Sequence, residues 1–135
     1  MASTTTLISI YCDDLPAMRA FYTGRLGLEV VPFLSNESDF IFLKPTSGTP
    51  VALRAASGRP AGMPPSVGCI EIGFDVPDIQ AVYNDFKTTG VPVVTEIADM
   101  GAGLYFVAKD PAGNFLSITQ LNDMVRASRE QMGQS

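Results

Sequence analysis

Apolar and polar side chains alternate from Leu7 to Cys12, the two-residue period of a half-buried strand. Ile8, Ile10 and Cys12 fall on one face, and Leu7, Ser9 and Tyr11 on the other. The period then changes. Leu15, Met18, Tyr22 and Leu26 recur at helical spacing, with Asp13 or Asp14 as N-cap and Pro16 in the first turn. Gly27 can end this helix in a left-handed conformation. Leu28 to Phe33 reads as a strand that Pro32 assigns to a sheet edge. Phe40 to Lys44 and Val51 to Ala55 read as two more strands, separated by a Pro-Thr-Ser-Gly-Thr-Pro turn. The order is one strand, one helix, three strands.

That order returns about 64 residues later. Cys12-Asp13-Asp14-Leu15 is echoed by Val76-Pro77-Asp78-Ile79, and Gly27-Leu28-Glu29-Val30-Val31 by Gly90-Val91-Pro92-Val93-Val94. Gly68 to Val76 predicts a strand with Ile70, Ile72, Phe74 and Val76 on one face and Glu71, Gly73 and Asp75 on the other. Asp78 to Thr89 predicts a helix closed by Gly90. Strands are expected near 91–97, 103–109 and 114–120, the last entered through the tight turn Asp110-Pro111-Ala112-Gly113-Asn114. Residues 122–132 suit a short terminal helix, and the Gly- and Pro-rich stretch 57–66 reads as a linker.

The chain is therefore read as a single domain, 1–135: module one (7–56), linker (57–66), module two (67–120) and a C-terminal tail (121–135). Each amphipathic helix needs a sheet face to cover, so the fold class is α+β. Duplication of the unit predicts two matching half-sites around one cavity.

Composition narrows what that cavity can do. With 135 residues the chain is long enough to bury a real core, and 46% hydrophobic against 17% charged residues marks it as globular. A net charge of −5 repels phosphate backbones and anionic lipid, which argues against nucleic acid and membrane partners and mildly favours cationic ligands. Cys12 and Cys69, too few for a disulfide framework, are both expected as buried, inert thiols. Residues 1–6 lack the charged and apolar blocks of a signal peptide, and no apolar run approaches about 20 residues, so a cytoplasmic setting is expected.

No histidine occurs anywhere in the chain. This removes the commonest metal ligand and general base, and with it any serine–histidine triad built on Ser117. Gly101-Ala102-Gly103 lacks the Lys-Ser/Thr pair of a phosphate-binding loop. Cys12, on the helix-covered face, is ill placed for a nucleophile.

Two motifs resemble those of a known family. Asp13-Asp14-Leu15 followed by Phe21-Tyr22 and Leu26-Gly27-Leu28-Glu29-Val30-Val31 is similar to the first module of the vicinal oxygen chelate superfamily. That superfamily includes glyoxalase I, extradiol dioxygenases, fosfomycin-modifying enzymes and bleomycin resistance proteins. Asp110-Pro111-Ala112-Gly113-Asn114-Phe115-Leu116-Ser117-Ile118 resembles its second-module signature, and the likeness spans about residues 7–120. It implies two tandem βαβββ modules forming a curled mixed sheet around a cleft, within a homodimer. In metal-using members, ligands project from the first and last strands of the modules. Those positions fall here on Leu7, Ala52, Glu71 and Ser117, of which only Glu71 binds a metal well. Asp75, two residues from Glu71 and roughly 6–7 Å away on a strand, is the one candidate for a second carboxylate. The departure implies no metal and no cofactor.

Strand parity assigns Leu7, Ser9, Tyr11, Ala52, Arg54, Glu71, Gly73, Asp75, Phe115, Ser117 and Thr119 to the cleft face. Such a mixture of aromatic and polar groups suits an organic ligand, and equally an ordinary solvated sheet face. Arg54 reads either as a partner for a ligand carboxylate or as an internal partner of Glu71 or Asp75. Glu71 reads as a general acid or base, or as a solvated or Arg-paired carboxylate. Tyr11, Tyr105 and Phe115 suit stacking on a planar ligand or plain packing, and Met63 sits in the linker beside the cleft.

The leading expectation is a metal-independent small-molecule-binding protein, similar to the bleomycin resistance type, that sequesters a drug or metabolite. The alternatives are a metal-free lyase or isomerase using Glu71, a degenerate member with a structural or regulatory partner, and a metal-dependent glyoxalase- or dioxygenase-like enzyme if the ligand positions lie elsewhere.

Overall fold

The computed structural model describes residue 2, residues 7–59 and residues 67–131, apart from the side chain of Arg129. Residues 1 and 3–6 of the amino-terminal stretch, residues 60–66 of the expected linker with Met63, and residues 132–135 of the tail lie outside the described residues. The chain divides into two compact units, 1–68 and 69–135, each with its own sheet.

The first unit runs β1 (Ile8–Cys12), α1 (Leu15–Gly24), β2 (Glu29–Val30), β3 (Phe40–Lys44) and β4 (Val51–Ala55). Its sheet has the order β1-β4-β3-β2, with β1 and β4 parallel and the other pairs antiparallel. The Asp14 carboxylate caps α1 by accepting from the Ala17 N–H at 3.0 Å. Leu15, Met18, Phe21 and Tyr22 form the buried face of α1, which packs on β4 over Ile10, Cys12, Ile41, Leu43, Val51 and Leu53. Burial of each large side chain stabilises the unit by roughly 1.5–3 kcal/mol before chain entropy is counted.

Two expected boundaries move. The helix stops at Gly24 rather than running through Leu26, and the Arg25 N–H closes it on the Phe21 carbonyl at 2.8 Å. Gly27, at φ 71°, makes the reversal beyond the helix end, after which the Leu28 N–H donates to the Tyr22 carbonyl at 3.1 Å. The expected strand 28–33 shrinks to the edge pair Glu29–Val30, because Pro32 opens a 3-10 turn, Pro32–Leu34. Ser35 locks that turn, its hydroxyl donating to the Val31 carbonyl at 2.8 Å and accepting from the Phe42 N–H at 2.9 Å.

The second unit repeats the design with β5 (Glu71–Asp75), α2 (Ile79–Thr89), β6 (Ala98–Asp99), β7 (Gly103–Lys109) and β8 (Phe115–Leu121), followed by α3 (Asp123–Gln131). The order β5-β8-β7-β6, with β5 and β8 parallel, matches the first sheet strand for strand. Asp78, the counterpart of Asp14, caps α2 through the Ala81 N–H at 3.2 Å, and Gly90 ends it at φ 81°. The ring of Phe106 sits edge-on between Tyr83 (5.2 Å) and Phe86 (5.8 Å), tying α2 to the sheet.

The expected strand 91–97 does not form. Pro92 has no N–H to donate, and the N–H groups of Val94 and Thr95 both converge on the Val107 carbonyl, at 2.7 and 3.3 Å. Two residues opposite one is a bulge, so the ladder holds only a bridge from Val93 to Ala108 before β6 resumes it. The strand expected over 68–76 is likewise confined to Glu71–Asp75. The turn 110–114 is a buried knot. Asp110 accepts from the Ala112 N–H (2.9 Å), the Asn114 N–H (3.0 Å) and the Asn114 side-chain amide (2.8 Å). Asn114 in turn accepts from the Ile70 N–H at 3.3 Å, tethering the entrance of β5.

The thiols differ from each other, against expectation. Cys12 is fully buried beneath α1, whereas Cys69 is exposed, because it precedes β5 and so has no helix above it.

Candidate functional site

Each sheet has one face under its helix and one face left open. In the first unit the register sets the open face out in rows. Tyr11 lies beside Arg54 on β4, and Arg54 lies beside Phe40 on β3. The next row is Ser9, Ala52 and Phe42. The Arg54 guanidinium carbon stands 5.3 Å from the Tyr11 ring centre and 5.6 Å from that of Phe40, within reach of favourable cation–π contact with both. Tyr11, Phe40, Phe42, Arg54, Ser9 and Leu7 are all half-buried. Ala52 is fully buried, since its methyl group is overtopped by larger side chains on either side of its row, and it forms the floor of this face.

In the second unit the open face carries charges that already have partners. The Ser117 hydroxyl donates to Oε2 of Glu71 at 2.8 Å. Asp75 accepts from the Thr119 hydroxyl (3.2 Å), the Leu121 N–H (2.9 Å) and Nε of Arg126 (2.9 Å). This bond and the adjacent negative charge of Asp75 raise the Arg126 pKa above the ordinary arginine value. Lys109 rests 5.3 Å from the centre of the Phe115 ring, itself 40% exposed. Asp75 pairs with Arg126 within the second unit, and within the first unit Arg54 lies against two aromatic rings. Gly73, beside Ser117 in the register, leaves room on this face.

The residues at the family's metal-holding positions do not fit a divalent ion. Leu7 and Ala52 offer no donor, Glu71 and Ser117 are bonded to each other, and Asp75 is engaged by three donors. Among the described residues no cluster of three or more His, Cys, Asp and Glu side chains is arranged to share an ion.

Sequence reasoning missed a recess of about 410 Å³ in the second unit, lined by residues including Asp99, Leu104, Gln120, Asn122 and Arg126. Asn122 shapes it by capping α3 through the Val125 N–H at 3.0 Å and donating to the Gly101 carbonyl at 3.3 Å. None of the sequence-predicted site residues lines the recess. The signal available was Asn122 itself, a cap residue just ahead of the terminal helical stretch.

Comparison with known proteins follows the same outline. The family model described as the Glyoxalase/Bleomycin resistance protein/Dioxygenase superfamily matches residues 5–118. No curated protein sequence matches the chain. Among solved structures, lactoylglutathione lyase from Agrobacterium tumefaciens is 25% identical, covering 88% of this chain and 94% of that one with a TM-score of 0.68. TnmS3, an antibiotic binding protein from Streptomyces sp. CB03234, is 21% identical, covering 90% and 98% with a TM-score of 0.67. TioX from Micromonospora sp. ML1 is 15% identical, covering 89% and 100% with a TM-score of 0.70. The last two likenesses show the fold.

Proposed function

We propose that this chain, which belongs to the glyoxalase/bleomycin resistance protein/dioxygenase superfamily, binds a small organic molecule without a metal ion and acts by sequestering a drug or metabolite. The observation that carries this reading is the open face of the first sheet. Three aromatic rings (one of them the phenol of Tyr11), a serine hydroxyl and one guanidinium lie over an alanine floor, with no metal-ligating side chain among the family's positions on that sheet. Apolar surface with a few fixed polar groups is the general character of an organic-ligand site. That a structural neighbour is an antibiotic binding protein agrees with it.

The working form in this reading is a cytoplasmic homodimer. Among the described residues, no helix is long and apolar enough to cross a membrane. Phe33 at 85% and Leu34 at 45% exposure supply apolar surface that association would cover. Light scattering on the purified chain checks the dimer.

The test combines two measurements on untagged protein. Elemental analysis follows incubation with Zn²⁺, Mn²⁺, Ni²⁺ and Fe²⁺ and desalting. A broad library of organic molecules is then screened by thermal shift, since a ligand that binds only the folded state raises Tm. No retained ion with a Tm rise for a chemically related set of molecules is the expected result. Near one ion per chain overturns the metal-free reading, and no shift from any molecule overturns the binding reading.

A second reading has one observation behind it. The Ser117 hydroxyl fixes the orientation of the Glu71 carboxylate, as a metal-free lyase or isomerase using Glu71 as acid or base requires. Under that reading Glu71→Gln abolishes turnover of a carbonyl substrate while leaving its binding intact. Under sequestration there is no turnover to lose.

A further inference from the structure

The cations of this protein are not treated alike. Arg19 pairs with Glu37 at 3.1 Å and Arg126 with Asp75 at 2.9 Å. Arg54, half-buried in the middle of the first sheet, forms no ion pair or side-chain hydrogen bond among the described residues and is flanked by the rings of Tyr11 and Phe40. Lys87 and Lys109 also rest on rings, each on one, those of Tyr83 and Phe115; Arg54 differs in standing between two.

The register explains the arrangement. Tyr11, Arg54 and Phe40 occupy adjacent positions on β1, β4 and β3, so both rings are fixed by the backbone ladder. Ring faces favour the cation but accept no strong hydrogen bond, and the guanidinium keeps its N–H donors available. A planar fork of free donors beside aromatic walls matches a carboxylate carried on a flat apolar body. The next row, with Ala52 as floor and Phe42 and Ser9 at its sides, extends the apolar surface on which such a body can lie.

We infer that the open face of the first sheet is a binding site for a planar aromatic anion, its carboxylate held by Arg54 and its ring system lying against Tyr11, Phe40 and Phe42. This rests on the small-molecule-binding reading and names the ligand class for it. It reverses the preference for cations that net charge alone suggests, because a local unpaired guanidinium outweighs distant carboxylates that salt screens.

Four probes separate the charge from the ring: 2-naphthoate, 2-naphthamide, cyclohexanecarboxylate and 2-naphthylmethylammonium. Titration calorimetry on the full chain is expected to rank 2-naphthoate first. The amide should be at least about tenfold weaker through loss of one charge-assisted contact, and the non-planar acid at least about tenfold weaker through loss of flat contact with the rings. Arg54→Gln is expected to weaken 2-naphthoate about tenfold and leave 2-naphthamide within about twofold. Arg54→Lys, which retains the charge and guards against a folding defect in the first variant, gives an intermediate loss because the planar fork is gone. Added salt weakens the naphthoate and spares the amide.

Equal affinity for acid and amide, or preference for the ammonium probe, overturns the inference while leaving small-molecule binding intact. Binding by none of the four also overturns it, and the broad thermal-shift library then decides separately whether the chain binds organic molecules at all.

Discussion

The Ser117 hydroxyl donates to Glu71 across 46 positions of sequence, at 2.8 Å, because β5 and β8 run parallel with Gly73 opposite Ser117. The bond joins two of the four positions that the family resemblance assigns to metal ligands. It occupies the one strong donor this chain has kept there. Ser117→Ala removes a hydrogen bond that is open to solvent, so unfolding free energy should fall by less than about 1 kcal/mol. Calorimetry of the variant checks this, and a loss of several kcal/mol would mean the pair is structural.

The Asp110 carboxylate is buried and takes three hydrogen bonds from its own turn. Asp110→Ala strands those donors and should destabilise the chain by about 3 kcal/mol or more. Urea unfolding of the variant measures it, with the Asn114→Ala variant expected in the same direction through loss of the Ile70 tether.

At Gly103 the backbone has φ 152°, and an added Cβ would stand 2.8 Å from the Leu121 Cα and closer still to the Gln120 carbonyl oxygen. The obstacle is backbone on a paired strand, which cannot swing aside. Gly103→Ala is therefore expected to lower stability by about 2–4 kcal/mol or to leave the protein insoluble. A variant as stable as the parent would show that β7 can shift its register.

Cys69 is exposed and Cys12 is not. A thiol reagent such as DTNB should titrate one thiol per native chain promptly and the second only after denaturation. The Cys69→Ser variant should give no prompt reaction. Prompt reaction of both thiols would show that α1 opens readily.

Asp75 holds the Arg126 pKa above its ordinary value. For a raised group the stabilisation is present below the unfolded pKa and disappears only as pH rises through the folded one, here beyond the ordinary arginine range. Titration from about pH 6 to pH 9 should therefore leave this contribution unchanged. Arg126→Gln should cost about 1 kcal/mol or less, shrinking with added salt because the pair is partly exposed. A variant whose loss is independent of salt would point to packing of the arginine stem instead.

The helices were readable because their signals are local. Asp14 and Asp78 cap within three residues of themselves, and Leu15, Met18 and Tyr22 repeat at the period of one turn. The short edges were not readable. Whether Thr95 continues a ladder or bulges out of it depends on which N–H reaches the Val107 carbonyl, a choice made by a strand that comes later in the chain. Phe40 and Phe42 were missed on the open face, which they join through the pairing of β3 with β4. The other open-face residues were legible, since parity assigns them. Their pairings were not: Arg54 meets rings and Asp75 meets Arg126, which only cross-strand register and the docking of α3 bring about.

The sequence by itself determined the duplicated order of strands and helices, the family, and the scarcity of metal donors, because each follows from residue identity and near-neighbour spacing. The tertiary structure decided which charges are spent on one another and which remain available. Hydrogen bonds and cation–π contacts act over a few ångströms, and residues dozens of positions apart reach that range only through the pairing of whole strands. That pairing left the Arg54 guanidinium between two rings, with no ionic partner among the described residues.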